Sequence, residues 1–445
     1  MSSESSTALE KRTAQLNSAG RRKFVDSSIP RKFMLLWAGQ GISIIGSQLS
    51  VVTIQVIAVK TLGASAMQMG VLTASQTIPY LMLSLFVGLL IDRVSKRRLL
   101  IVADIVRCLV ILVTALLLLV GNLTIVELCV VICLIAVFNL VFDAASGALI
   151  PQLFSASQRL SVNSRLNITA SGGDVVGPTL AGVALDVLRA SGAMLVDSAT
   201  YLVSCVCVWF SIPETKPARS EETSLSRPIA RVLRALRAGL SFVAAQPLLR
   251  AFAIGSAIWN LSWSAVLAVL VIHLAKNLHT DATQIGLVFA SAGIGGIVGA
   301  CLGAWLGHQW RVRMTLVLAP LIGVIGGATL LIAQPSHPFA TAAVALFLYG
   351  LGESCFGVNM QTCRQGVTPL RLMGRMDTTM RFCFKGMASL GAIAGGVVGS
   401  RWGVQAAIAF GVAGLAIAAT CLALFLPAAN SAQLWGTTAS STGDS

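Results

Sequence analysis

Long apolar stretches cut by short polar links run through nearly the whole chain. Taking about 20 consecutive apolar residues as one helical crossing of a bilayer, the pattern predicts twelve spans. They fall at roughly 34–60, 67–91, 99–120, 125–149, 163–188, 193–212, 249–274, 282–307, 314–334, 339–363, 374–400 and 404–427. Backbone groups in hydrocarbon must pair within their own segment, so the expected class is an all-α membrane protein of twelve transmembrane helices.

The longest link, about 213–248, divides the spans six and six. The chain therefore reads as an N-terminal tail (1–32), a first six-helix bundle (33–212), a linker (213–248), a second bundle (249–427) and a C-terminal tail (428–445). Landmarks recur between the halves at an offset of about 214 residues: Gly88 meets Gly303 within a residue, and Gly177, Pro178 and Gly182 fall on Gly391, Ala392 and Gly396. Two pseudo-symmetric bundles are expected from this repeat. The linker opens with PETKPARSEE and continues as RPIARVLRALRAGL, which sets Arg227, Arg231, Arg234 and Arg237 at helical spacing, with Ile229, Leu233, Leu236 and Leu240 largely on another face. It reads as an amphipathic helix on an anionic inner leaflet or as a solvated basic linker.

The polar links carry a strong charge bias. In GLLIDRVSKRRLL, Gly88 to Leu100, one acid and four bases stand between two apolar runs. With the N-terminus inside, the tail and the links on its side hold 25 of the 32 Lys and Arg. The opposite links hold Lys60, Arg189, Lys276 and Arg401, and Arg107, Arg381 and Lys385 stand within spans. The excess of bases predicts both termini in the cytoplasm and a multi-pass protein of the cell inner or plasma membrane. The first apolar run begins at Phe33 with no early cleavage site, so residues 1–32 read as a retained tail rather than a signal peptide.

Composition narrows the classes further. The chain is 56% hydrophobic and 11% charged, with mean hydropathy +0.82, whereas soluble domains carry about a quarter charged residues. That excludes a soluble domain. The net charge of +15 resides in short links where topology already accounts for it, so no nucleic-acid partner is expected. All ten cysteines fall inside apolar runs without His at metal-ligand spacing, so no metal is expected. Neither a Walker loop, an HExxH motif nor a GxSxG elbow is present, which argues against an enzyme and against a cofactor.

Ionisable groups inside spans carry the functional signal, because each costs about 2.5–3.5 kcal/mol at mid-helix on insertion scales. Asp174, Glu353 and Lys385 lie about 11 residues from the cytoplasmic ends of their spans, or about 16 Å, near the middle of the hydrocarbon. Asp143 and Arg381 lie nearer the cytoplasm. A carboxylate out of water favours its protonated form, while a neighbouring cation favours the charged one. Glu353 and Lys385 are expected to neutralise one another, and Asp143 and Asp174 to lack a basic partner in their own half. Asp104 and Arg107 are spaced for a local pair supporting the charged link, and Asp186 and Asp197 are expected near the outer ends in contact with solvent. Gln40 and Gln48 in span one, and Trp259, Asn260 and Trp263 in span seven, offer polar and aromatic contacts for an amphipathic substrate, or helix packing.

Gly88, Asp92, Arg93, Lys96 and Arg97 match G-x-x-x-D-(R/K)-x-G-(R/K)-(R/K), the loop signature of the major facilitator superfamily, with Ser95 in place of the second glycine. Gly177, Pro178 and Gly182 resemble part of the superfamily's antiporter signature. The segment FDAASGALIPQLF, with Gly177-Pro178 and Asp197, resembles the branch of macrolide-efflux proteins and enterobactin exporters. In the second half Gly307 and His308 stand where the first has Asp92 and Arg93.

The resemblance implies secondary transport by alternating access, with spans four, five, ten and eleven lining a central cavity. It implies a conformational latch at Gly88, Asp92, Arg93, Lys96 and Arg97. Asp143, Asp174 and Glu353 become proton-coupling candidates, with Arg381 and Lys385 as charge partners. The implied activity is proton-coupled export of an amphipathic small molecule such as a drug, antibiotic or siderophore-like metabolite. The alternative is a lipid or lysophospholipid flippase of the same fold, and a membrane-embedded enzyme is a remote third.

Overall fold

The computed structural model describes residues 31–154, 156–213, 228–309, 312–333 and 337–426. The expected N-terminal tail apart from residues 31–32, the whole expected C-terminal tail and residues 214–227 of the linker lie outside the described residues. The first half contains α1 (Arg31–Val56), α2 (Ala66–Arg93), α3 (Lys96–Val120), α4 (Ile125–Leu153) and the segment Ala156–Ser211. That segment turns at Arg189, whose φ of 60° and ψ of 174° break the helix into two arms, α5 before it and α6 after it. A linker helix α7 (Pro228–Ala245) follows. The second half contains α8 (Pro247–Ile272), α9 (Ala282–Gln309), α10 (Val312–Leu331), α11 (Pro338–Val367), α12 (Leu370–Trp402) and α13 (Val404–Phe425). The helices cross in alternate directions, so the α2–α3 link, the start of α1 and the end of α13 share one face, the basic face, and the α1–α2 and α8–α9 loops share the far face.

The repeat is sharper in the structure than in the glycine spacing. α1 and α8 both end in a π-helical turn, Ile57–Thr61 and His273–Asn277. Both then close with the same bonds: Leu62 N to Ile57 O at 3.0 Å and Ala64 N to Ala58 O at 2.8 Å, against Leu278 N to His273 O and Thr280 N to Leu274 O, each 3.0 Å. The next helix starts with a reciprocal cap in each half, Ser65 with Gln68 and Asp281 with Gln284. Gly63 and His279 take the same left-handed backbone, φ 66° and 54°. Over this stretch Lys60, Leu62, Ala66, Gln68 and Gly70 are repeated as Lys276, Leu278, Ala282, Gln284 and Gly286, at an offset of 216.

Around the basic link, Gly88, Asp92 and Arg93 belong to α2, and their side chains lie outside the described residues. Lys96 is buried at the start of α3. Arg97 donates to Trp209 O at 2.8 Å and lies 4.8 Å from the Trp209 ring, tying the link to the end of α6 in its own half. In the linker helix Arg237 and Leu240 are exposed, while Val243 is buried with Leu249, Met376 and Met380, so α7 docks by its C-terminal end onto α8 and α12. Arg227 and the side chains of Ile229, Arg231, Leu233, Arg234 and Leu236 lie outside the described residues.

Candidate functional site

The halves meet along two crossings, α2 with α12 and α5 with α9. Both rest on small residues, because only a missing Cβ lets the backbones approach. A Cβ on Gly70 would meet Ala392 O and Gly396 Cα at 2.6 and 2.9 Å, and one on Gly182 would meet Ala282 O and Thr283 Cα at 2.7 Å. The far face is bonded as well as packed. Lys60 Nζ donates to Thr280 O at 3.0 Å, and Asp186 accepts from Thr283 N and Oγ1 at 3.0 and 2.6 Å, capping α9 from α5. At mid-depth Thr77 and Ser389 share a 2.7 Å hydrogen bond.

Between these contacts and the basic face lies the cavity, in three adjoining chambers of about 370, 450 and 300 Å³. The first lies between the halves. Asp174, Gln48 and Pro178 face Glu353, Tyr349, Trp263 and Phe289 across it. Gln48 donates its amide to Asp174. Tyr349 is stacked on Trp263, with centroids 3.3 Å apart, and on Trp259 at 5.7 Å, and Trp259 Nε1 donates to its hydroxyl at 3.1 Å. Glu353 lies beside the Tyr349 hydroxyl. This chamber joins two carboxylates to an aromatic wall, a surface suited to amphipathic ligands.

The second chamber is lined from the first half by Gln40, Tyr80, Arg107, Asn139 and Asp143. Gln40 donates to Ser146 Oγ at 2.8 Å. Asp143 lies within electrostatic reach of Arg107, Arg381 and Lys385. The expectation that Asp143 lacks a base in its own half is therefore corrected: α3 brings Arg107 to it, a contact invisible from spacing within span four. The third chamber links Tyr80 and Asn139 to Asn260, Trp263 and Lys385. Lys385 Nζ stands 5.4 Å from the Tyr80 ring centroid, across the two halves, and within reach of Glu353 as well as Asp143.

Behind the wall a buried polar cluster joins α1, α3, α4 and α6. Asp104 and Arg107 form an ion pair, and Ser204 donates to Asp104 at 2.8 Å. Arg107 also donates to Asn139 at 2.8 Å and lies between the rings of Phe142 and Tyr201, at 4.5 and 4.6 Å. The pair is core structure of the bundle rather than a support of the α2–α3 link. Asp197, expected at a solvated end, is fully buried here, and Asp186 is engaged by Thr283.

Of the residues singled out in the sequence, Gln40, Gln48, Asn260, Trp263, Asp143, Asp174, Glu353 and Lys385 all border the chambers. Arg381 lies beside them, one turn from Lys385. Trp259 is buried behind the wall, where it packs on Tyr349 and against Gly323. Gly177 and Gly182 serve helix contacts, Gly177 against Gln48 and Ile45, while Pro178 borders the first chamber. Sequence reasoning missed Tyr80 and Tyr349, and assigned Arg107 to a local pair supporting the link rather than to the chamber it borders. A usable signal was present: the chain has three tyrosines, all in mid-span rather than at an interfacial belt, and all three meet the chambers or the buried cluster. Among the described residues no group of three His, Cys, Asp or Glu is placed to hold a metal, and the ten cysteines are free thiols.

The sequence model of the Major Facilitator Superfamily matches residues 36–392 and 252–442. The chain belongs to this superfamily. Its members are transporters rather than enzymes, and this one is a multi-pass membrane transporter. It is 24% identical over 350 residues to the multidrug efflux pump Tap of Mycolicibacterium fortuitum, covering 77% of this chain and 83% of Tap. It is 30% identical to the MFS-type transporter y4rN of Sinorhizobium fredii and 26% identical to the enterobactin exporter EntS of Shigella flexneri. Those two matches cover 51% and 47% of this chain, and the chain spans about half the length of each relative, 53% and 47%. Among solved structures, a bacterial homologue of the iron transporter ferroportin in its inward-facing state superposes with a TM-score of 0.70 at 14% identity, over 90% of this chain and all of that one. The nucleoside transporter NupG gives 0.69 at 10% identity, over 89% and 98%. These two share the fold.

Proposed function

We propose that this transporter exports an amphipathic small molecule in exchange for protons, by alternating exposure of the central cavity. The observation carrying the reading is the first chamber, where Asp174 and Glu353 face each other beside the Trp263–Tyr349 stack between two half-molecules bonded at the far face. The efflux relatives Tap and EntS support the direction of transport. With the basic face in the cytoplasm, as the distribution of Lys and Arg favours, the state described is inward-facing and ready to load. The bundles 33–212 and 249–427 are then the two rocking units.

In this reading Asp143, Asp174 and Glu353 exchange protons with each side in turn, while Arg381 and Lys385 balance charge when a carboxyl is ionised. The residues Gly88, Asp92, Arg93, Lys96 and Arg97 hold the basic face shut in the opposite state. Gln40, Gln48, Asn260 and Trp263 contact substrate. The test is accumulation of a fluorescent amphipathic dye in inverted membrane vesicles, with Asp143→Asn, Asp174→Asn and Glu353→Gln alongside the intact protein. Accumulation should collapse when the proton gradient is discharged and should fall in the variants. Uphill accumulation that persists without the gradient removes proton coupling, and unchanged flux in all three variants removes the site assignment.

One observation favours a second reading, movement of a lipid. An almost wholly apolar groove of about 620 Å³ lies between α2, α8 and α12, with Ile78, Ile254 and Leu390 exposed along it. Head-group-dependent movement of labelled lipid in proteoliposomes would select it; no lipid movement would remove it.

A further inference from the structure

The chambers account for Asp143, Asp174 and Glu353, which are open to the cavity, but the cluster behind the wall holds, besides the paired Asp104, a buried carboxyl that the cavity chemistry leaves unused. Asp197 on α6 has 0% of its surface exposed. Ser50 Oγ donates to its Oδ2, and Thr200 Oγ1 stands 3.2 Å from its Oδ1. Thr200 has a single hydroxyl proton. The shorter of its two contacts, 2.7 Å to Asp197 O, takes that proton. The longer contact, Oγ1 to Oδ1, is then at best a weak share of that proton, and a protonated Oδ1 fills it by donating to Oγ1.

Charge counting agrees. α3 presents Arg107, Asp104 and Cys108 to this region, α6 presents Tyr201, α4 presents the neutral Asn139, and α1 presents Ser50 and Gly46 without a charge. Arg107 is already committed to Asp104, to Asn139 and to Ala103 O. With Asp104 and Asp197 both fully buried, two carboxylates against one guanidinium would leave an uncompensated buried charge, which is strongly unfavourable.

We propose that Asp197 is a proton-carrying residue of the transport cycle, holding its proton on Oδ1 while the far face is closed, with Ser50 as the gate to the cavity. The proposal rests on the proton-coupled reading above. Ser50 also borders the third chamber, so one side chain separates the carboxyl from cavity water. A Cβ on Gly46 would collide with Asp197 Oδ1 and Thr200 Oγ1, so α1 is seated directly on the carboxyl. A tilt of α1 against α6 lifts Ser50 away and admits water. The O–H bond of the carboxyl then breaks, the proton passes to that water, and the carboxylate left behind is hydrated by the water that the tilt admits.

Asp197→Asn tests this, because the amide nitrogen donates to Thr200 Oγ1 and the amide oxygen accepts from Ser50, preserving the local bonds. In purified protein at neutral pH, the infrared C=O band of a protonated carboxyl should disappear in Asp197→Asn and shift in Ser50→Ala, which keeps the acid. In proteoliposomes, Asp197→Asn should lose gradient-driven dye transport yet retain dye binding and equilibrium exchange. An infrared band unchanged in both variants shows that Asp197 carries no proton. Gradient-driven transport equal to wild type shows that the proton is structural and overturns its role in the cycle. Wild-type flux indifferent to the gradient sinks the coupled-export reading and the cycle role with it, while the band still reports separately whether the proton is there.

Discussion

Lys60, one turn past the end of α1, donates from Nζ to the carbonyl oxygen of Thr280 at 3.0 Å, so the repeated loops of the two halves are bonded to each other. Beside that bond, Asp186 caps the first turn of α9 from the opposite half. Loss of a side-chain cap costs about 1 kcal/mol, and about 1.4 kcal/mol is a tenfold change in a conformational equilibrium. The double substitution Lys60→Met with Asp186→Ala should therefore raise the population open at the far face by about tenfold or more. Spin labels at the exposed, repeat-related positions Thr61 and Asn277 would read this as growth of a longer-distance population. An unchanged distance distribution would mean that helix packing alone closes the far face.

Packing itself is testable at the crossings. A Cβ on Gly286 would meet Gly182 N at 3.0 Å and Pro178 O closer still, all backbone atoms with no freedom to yield. Gly286→Ala should thus destabilise the protein by about 1–3 kcal/mol, as overpacking does. Gly172, on the same pair of helices, has nothing within 4 Å of a built Cβ. Gly172→Ala should be neutral or stabilising by up to about 1 kcal/mol through helix propensity. Thermal denaturation in detergent separates the two, and equal melting temperatures would count against close contact at the α5–α9 crossing.

Span count and class were legible because each requires only length and apolarity, which composition carries directly. The repeat was legible in outline and misplaced in register at its first helices: matching Gly177 and Gly182 to Gly391 and Gly396 gives 214, whereas the Lys60–Gly70 and Lys276–Gly286 stretches lie 216 apart. The better signal was Ser65 with Gln68 and Asp281 with Gln284, a capping pattern at the start of an apolar run. Asp174, Glu353 and Lys385 were picked out as charges inside apolar runs, and they border the chambers. Which charges meet was not legible, since Asp143 finds Arg107 through the packing of α4 on α3, and no periodicity within either span reports that. Asp197 was misjudged because its span begins near Arg189, and the turn there brings the carboxyl beneath α1 instead of leaving it at an edge.

Trp263 borders the first and third chambers and stacks on Tyr349. If it forms the floor on which an aromatic portion of the substrate rests, Trp263→Ala should weaken binding of an aromatic dye by about 0.5–1.5 kcal/mol, up to roughly tenfold in Kd, and Trp263→Phe by less. Titration of dye fluorescence polarisation against purified protein measures it. Equal affinity in wild type and Trp263→Ala would reduce Trp263 to a packing residue.

The ion pair of Asp104 and Arg107 is buried on both sides, at 0% and 3% exposure. Removing one partner strands the other charge away from water, a change that costs about 3–5 kcal/mol, whereas replacing both by apolar groups of similar size is often close to neutral. Asp104→Asn should consequently lower the melting temperature far more than Asp104→Leu combined with Arg107→Met. The double variant should nonetheless lose transport, because Arg107 also reaches Asp143 in the second chamber and donates to Asn139 on its wall. A stable, transport-active double variant would assign Arg107 a purely structural role. A single variant as stable as wild type would instead mean that water reaches the pair and that the space behind the cavity wall is not sealed.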